Sequence, residues 1–376
     1  MNTPFVYGRI ADKENFTDRK EELEMLIQNF SGLVNTIIIS PRRWGKTSLV
    51  NQVVKYFETN KSIRICQVDI FNCRTEEQFY QAYAHAILKA NTSVWDDFIA
   101  SARKYLGKLL PSVTLTDAAQ TCELTFGLNF KDNMLTYDEI LELPQVICKD
   151  TGRKMVVCID EFQNIHEYDT PIAFQRKLRA HWQRHSDVCY CLYGSKRHML
   201  LDIFNNYDMP FYKFGNIMFL HKIEREEWIK FIQTRFQESG KSISPEACGT
   251  IADLMKNHPY YTQQLSQQTW LRTDYESNTD IVNLAFQDIV GQLSLLFANL
   301  IDTLTPKQIN FLMAVADGVT NFSSKEVLTK YQLGTSANIK NLKKVATEKD
   351  LIDILPGNKI ELQDPVFEYW LKHIYR

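Results

Sequence analysis

The stretch Thr36-Ile-Ile-Ile-Ser-Pro-Arg-Arg-Trp-Gly-Lys-Thr-Ser-Leu49 constrains this chain more than any other. Three consecutive β-branched residues, Ile37 to Ile39, read as a strand buried on both faces, the kind that parallel sheets contain. The Ser-Pro-Arg-Arg-Trp-Gly that follows breaks the strand, and from Lys46 onward Leu49, Val50, Val53 and Val54 recur at helical spacing. Strand, loop and helix in that order are the context of a phosphate-binding loop. Backbone N–H groups of the loop and the positive end of the helix dipole would cradle phosphate oxygens. Ser40, Pro41, Arg42, Arg43, Trp44, Gly45, Lys46, Thr47 and Ser48 are therefore the expected nucleotide-binding residues. Lys46 is expected on the β- and γ-phosphates and the Thr47 hydroxyl on Mg²⁺. In the pattern G-x-x-x-x-G-K-[ST], Ser40 stands where the first glycine belongs, and its Cβ at a tight turn predicts strain or a lower affinity.

A second signal is Lys154-Met-Val-Val-Cys-Ile-Asp-Glu-Phe-Gln163. An apolar strand here delivers two adjacent carboxylates at its C-terminal end, where open α/β sheets bind ligands. Asp160 suits the Mg²⁺ shell near Thr47, and Glu161 is placed to act as general base on an attacking water. Val188-Cys-Tyr-Cys-Leu-Tyr-Gly-Ser195 is a further strand. Ser195 at its end either bonds the γ-phosphate or the attacking water, or caps the next helix. Arg197 either adds positive charge to the site or is exposed.

Around these two signals the chain alternates. Phe16–Ile27 predicts a short helix capped by Thr17 or Asp18, covering the adenine side through Phe16 and Arg19 or simply packing. Ile63–Ile70 and Asn216–Leu220 complete five expected strands, with helices at Thr75–Ala90 and Pro171–Arg184. The basic face of the latter (Arg176, Lys177, Arg179, Arg184) reads as solvated or as a subunit contact. Residues from about 91 to 143 look like an insertion, with a hairpin of Ser112–Thr116 and Glu123–Phe130. The fold class is α/β: a doubly wound parallel sheet of the P-loop kind, covered on both sides.

Beyond Leu220 the periodicity turns helical, at Arg225–Phe236, Pro245–Lys256 and Tyr260–Trp270, a block that looks like a lid. The C-terminal segment reads as a winged helix-turn-helix. Thr305 caps a helix through Ala316, Ser323 one through Tyr331, and Gly334 turns into Ser336–Lys349, followed by a hairpin around Pro-Gly-Asn358. In the third helix Ile339, Leu342 and Ala346 face inward and Lys340, Asn341 and Lys344 outward, as candidates for DNA contact; a protein-contact module is the other reading. The expected domains are 1–222, 223–298 and 299–376. With 43 Lys+Arg against 45 Asp+Glu, any nucleic-acid surface must be a local patch. No stretch reads as a signal or a membrane span, and eight scattered cysteines without a C-x-x-C pair read as reduced core residues of a cytoplasmic protein.

These residues together resemble the predicted ATPases of the archaeal-type family, within the AAA+/STAND part of the P-loop NTPases. The matching segments are Phe16-Thr-Asp-Arg-Lys-Glu-Glu-Leu, Pro-Arg-Arg-Trp-Gly-Lys-Thr-Ser-Leu, Ile-Asp-Glu-Phe-Gln163, Tyr-Gly-Ser195, Pro-Phe-Tyr212 and His-Pro-Tyr-Tyr261. The resemblance implies an ATPase core, a helical lid and a winged helix, with Pro259 packing on adenine and Ser195 in the role called sensor 1. The chain departs from the family at Ser40 and at Lys213-Phe214, where Gly-Arg would supply an arginine finger. His-Pro-Tyr-Tyr261 contains no sensor-2 arginine, which favours a switch over a fast ring motor. The expectation is a Mg²⁺-dependent ATPase switching between ATP and ADP states, with a protein partner or self-association. The alternatives are a DNA-associated AAA+ ATPase and a non-hydrolysing, ATP-stabilised scaffold for an effector.

Overall fold

The computed structural model describes residues 3–10, 15–91, 101, 104–105 and 136–375. Both strands of the expected 112–130 hairpin lie outside them. The apolar runs become parallel strands: β1 Thr36–Ile39, β2 Ile63–Asp69, β3 Lys154–Asp160, β4 Val188–Gly194 and β5 Asn216–Phe219. Among the described residues these five form one sheet in the order β2-β3-β4-β1-β5, with every pairing parallel. β1 and β4 are buried along their whole length, which is why their sequences run apolar without alternation.

The helices of this unit include α1 Lys20–Ser31, α2 Lys46–Phe57, α3 Glu76–Asn91, α4 Thr136–Thr151, α5 Pro171–Trp182 and α6 Arg197–Asn205. Its core is aromatic. Trp182 stacks on Tyr190 at 4.1 Å and on Tyr83 at 6.2 Å, while Phe162 packs edge-on against Phe211 at 5.4 Å. Of the expected basic face, Lys177 pairs with Asp138 of α4 at 3.4 Å and Arg184, just past the end of α5, with Glu142 at 3.4 Å, while Arg176 and Arg184 remain exposed. The expected cap of α1 by Thr17 or Asp18 does not form. Asp18 and Arg19 both take left-handed backbone, φ 54° and 65°, whereas a capping residue needs extended backbone; Arg19 pairs instead with Glu22 at 3.0 Å.

Arg19–Arg42 and Lys46–Leu220 make up this unit; the residues before Arg19, Arg43–Gly45 and the chain from His221 make up a second. The second contains α7 Arg225–Glu238, α8 Pro245–Leu254, α9 Pro259–Arg272, α10 Thr279–Asp302, α11 Pro306–Ala316, α12 Lys325–Lys330, α13 Ser336–Glu348 and α14 Pro365–Trp370. Two-residue strands β6 Ser242–Ile243 and β7 Glu276–Ser277 pair in parallel. β8 Ile352–Ile354 and β9 Ile360–Leu362 pair antiparallel as the wing. Thr305 and Gln308 form a reciprocal capping box on α11. The cap of α12 is Ser324 rather than Ser323: Ser324 Oγ accepts from Val327 N at 3.3 Å.

α10 corrects a further expectation. Its 24 residues are long and apolar enough to cross a membrane by length and composition, because its aspartates are widely spaced. Val282, Phe286, Ile289, Val290, Phe297 and Ile301 are nevertheless buried in the core of the second unit. The same helix runs unbroken through residue 298, the expected end of the lid.

Candidate functional site

In the first unit, the C-terminal ends of β1, β3 and β4 lie side by side, because β4 pairs with both of the others. The chain leaves β1 through Ser40 and turns into α2 at Lys46. Gly45 has φ +89°, a conformation that only glycine takes without strain. Ser40, expected to strain the turn, lies outside that left-handed region. Its Cβ is therefore accommodated, and its buried hydroxyl donates to Pro41 O at 3.2 Å.

Lys46 is buried, and its Nζ donates to the same Pro41 carbonyl at 3.1 Å. Burial lowers the Lys46 ammonium to about 8, against the opposing pull of Glu161 and Asp160. Thr47 Oγ1 donates to Asp160 Oδ2 at 2.9 Å, across 113 residues of sequence. Glu161 N donates to the other Asp160 oxygen at 2.8 Å. Burial pushes the Asp160 carboxyl up to about 6, with the Thr47 hydrogen bond opposing. A buried carboxylate whose charge burial disfavours, next to a hydroxyl, is a hard oxygen pair suited to a divalent cation.

Glu161 sits in left-handed backbone, φ 55° and ψ 37°, at the corner between β3 and the 3₁₀ turn Phe162–Glu167. Its Oε2 accepts from Ser195 Oγ at 2.9 Å and from Ser195 N at 3.4 Å. Gln163 Nε2 donates to that same oxygen. Ser195 thus meets the general-base candidate instead of capping α6, whose N-cap is Lys196. Arg197 begins α6, with its guanidinium 5.8 Å from the centre of the Phe219 ring. Arg42 is exposed and its charge lowers the pKa of Lys46; Arg19 is almost fully buried. Gln163 belongs to a segment already prominent in the sequence, but no spacing rule gives an amide two residues past a carboxylate a role.

In the second unit, Arg43 lies 4.4 Å over the ring of Tyr260 and Trp44 meets His258 edge-on at 6.1 Å. Pro259 opens α9, and Phe16 is half-buried. Lys256 and Asn257, with φ 50° and 58°, turn the chain so that His258 Nδ1 can accept from Tyr260 N at 3.2 Å. Burial, reinforced by Lys222 and Arg43, holds His258 down at about 3. Tyr261 Oη donates to Asp364 Oδ2 at 2.6 Å, and Asp364 Oδ1 caps α14 through Val366 N and Phe367 N. His258 and Tyr261 belong to the His-Pro-Tyr-Tyr261 segment already singled out, but no local pattern marks Asp364 as the partner of Tyr261. On α13, Ile339, Leu342 and Ala346 are buried while Lys340, Asn341 and Lys344 are exposed. Lys344 is within 3.7 Å of Glu348.

Residues 295–373 match the family model of a probable winged helix domain. No curated protein matches the chain. Among solved structures, a Walker-type ATPase of Pyrococcus abyssi superposes with a TM-score of 0.68 at 15% identity, covering 98% of this chain and 100% of that one. The ORC2 protein of Aeropyrum pernix, in ADPNP–ADP complexes, gives 0.56 at 14% identity, with 98% of both chains covered. Its ADP form gives 0.52 at 13%, again over 98% of both. The fold is that of a P-loop ATPase with a C-terminal winged helix. At these identities the likeness is one of fold.

Proposed function

We propose that this chain binds Mg·ATP, hydrolyses it slowly and uses the difference between its ATP and ADP states as a switch. The observation that carries this reading is the closure of Thr47 on Asp160 at 2.9 Å beside the buried Lys46. Lys46 supplies charge to the β- and γ-phosphates. Thr47 and Asp160 are the residues that would hold Mg²⁺, which when bound offsets the charge on the phosphate oxygens. Glu161, next in the chain, takes the proton of the attacking water. The likeness to a structure solved with ADPNP and ADP supports a nucleotide ligand, and Lys213-Phe214 in place of Gly-Arg, with His-Pro-Tyr-Tyr261 at the start of α9, favours a slow switch.

Two substitutions test this. Lys46→Ala is expected to remove ATP binding in a folded protein, because Lys46 gives charge rather than packing; unchanged affinity by calorimetry refutes the assignment. Glu161→Gln is expected to retain ATP and lower turnover by roughly 10²–10⁴-fold. A ligand shifts a conformational equilibrium only by its differential affinity for the states. The switch therefore predicts different scattering profiles for the Glu161→Gln protein with ATP, with ADP and without nucleotide, and identical profiles would exclude it.

A second reading is favoured by the exposed Lys340, Asn341 and Lys344 on α13 and by the winged-helix match. In it, the third helix of the winged helix docks on DNA. Binding would then weaken steeply with salt, because phosphate contacts dominate it. No binding by the parent protein at low salt removes this reading.

A further inference from the structure

Gln163 is almost completely buried, and both polar ends of its amide raise a question. Its Nε2 faces two acceptors, Glu161 Oε2 and, at 3.4 Å, Asn164 Oδ1. The amide must therefore present its NH₂ group on that side. The orientation leaves Gln163 Oε1 buried without a partner among the described residues. Buried polar atoms are satisfied in the great majority of cases, so a lone one calls for a reason. The amide is also wedged: a Cβ at Gly194, the last residue of β4, would overlap Gln163 Oε1 and approach Glu161 Cα to 3.3 Å. Asn164 fixes the neighbouring turn by donating to Phe71 O at 3.2 Å. The side chain is thus held from both sides with its donor end on one carboxylate oxygen.

We propose that Gln163 is a positioning residue that acts through Glu161. With the Ser195 hydroxyl and amide it clamps Oε2, which leaves Oε1 as the oxygen that accepts a proton. In the step served, the water oxygen bonds to the γ-phosphorus as the bond to the β,γ-bridging oxygen breaks. The water proton passes to Glu161 Oε1, and ADP and phosphate leave. The inference rests on the ATPase reading above. Holding a base within a fraction of an ångström of its working position is worth up to about 100-fold in rate, and this is the part assigned to Gln163.

The test uses the full chain and Gln163→Met, which keeps the length and volume of the side chain and removes the donor. Its kcat is expected to fall about 10- to 100-fold, with KM and calorimetric ATP affinity within about twofold of the parent. In a Glu161→Gln background the same change should have no further effect on single-turnover rate, since the residue through which it acts is already disabled. Gly194→Ala should reproduce the fall in kcat by displacing the amide, and should add little to Gln163→Met. Parental kcat in Gln163→Met, loss of ATP affinity or folding in it, or a full additional loss in the Glu161→Gln background each overturn the proposal. If the parent protein turns over no ATP, the ATPase reading falls and takes the inference with it. If the parent is active and Gln163→Met equals it, the inference alone falls.

Discussion

His258 makes the second unit sensitive to acid in a calculable way. The imidazole is buried at the entry to α9, its Nδ1 accepts from Tyr260 N at 3.2 Å, and the nearby Lys222 and Arg43 charges add to the burial that disfavours protonation. Its pKa is lowered from 6.5 to about 3. The unfolded chain takes up the proton below pH 6.5, while the folded chain refuses it until about pH 3. The stability is therefore whole above pH 6.5 and declines as pH falls toward 3. From 6.5 to pH 5 is 1.5 pH units; at about 1.36 kcal/mol each, the loss at pH 5 is about 2 kcal/mol. His258→Asn is the perturbation, because asparagine can still cap the helix but does not titrate. The assay is urea unfolding followed by tryptophan fluorescence at pH 7 and pH 5, for parent and variant. Other groups titrate equally in both proteins, so the measured quantity is the difference between the two pH-dependent losses. The parent should lose about 2 kcal/mol more than His258→Asn. Equal losses would mean that His258 gains its proton in the folded state as readily as in water, and the reasoning from burial would be wrong.

Tyr261→Phe should destabilise the second unit by about 1–3 kcal/mol, because it strips Asp364 Oδ2 of its donor in a buried place; thermal unfolding measures it. If the winged helix binds DNA, the double change Lys340→Glu, Lys344→Glu should weaken that binding across all sequences, as expected of phosphate contacts, and a gel shift at low salt reads this directly.

The strands, the phosphate loop and the carboxylate pair were legible because each is encoded by neighbours in the sequence. Three isoleucines in a row, Gly-Lys-Thr and Ile-Asp-Glu announce themselves locally, and the parallel sheet then brings Thr47 and Asp160 together. Elements were misplaced where backbone conformation overrode side-chain propensity. Left-handed φ at Asp18 and Arg19 removes the expected cap of α1, and α12 begins one residue later than expected, so that Ser324 and not Ser323 holds the capping position. Gln163 was in plain view, yet its meaning depends on Ser195 and Gly194 from another strand. The pair β6–β7 is two residues long on each side, too short for any periodicity to register.

The expected division at residue 298 concerns how a switch would act. α10 runs through it, and Phe297 on that helix packs on Phe367 of α14 at 5.1 Å while Gln287 donates to Tyr369 at 3.0 Å. Tyr261 of α9 bonds Asp364 at the start of α14, Lys256 pairs with Glu368 on the same helix, and Lys222 pairs with Glu361 of the wing at 3.0 Å. These contacts join α9 and α10 to the winged helix through a shared core rather than through a linker. Close-packed interiors transmit displacement because they lack room to absorb it. Within the second unit a displacement at α9 would therefore reach α14 and the wing directly. Substitution at Tyr261 or Asp364 should loosen α14 and the wing against α9, and hydrogen exchange should then show lost protection in α14 and β9; unchanged protection there would mean that the tyrosine–aspartate pair does not hold the two together.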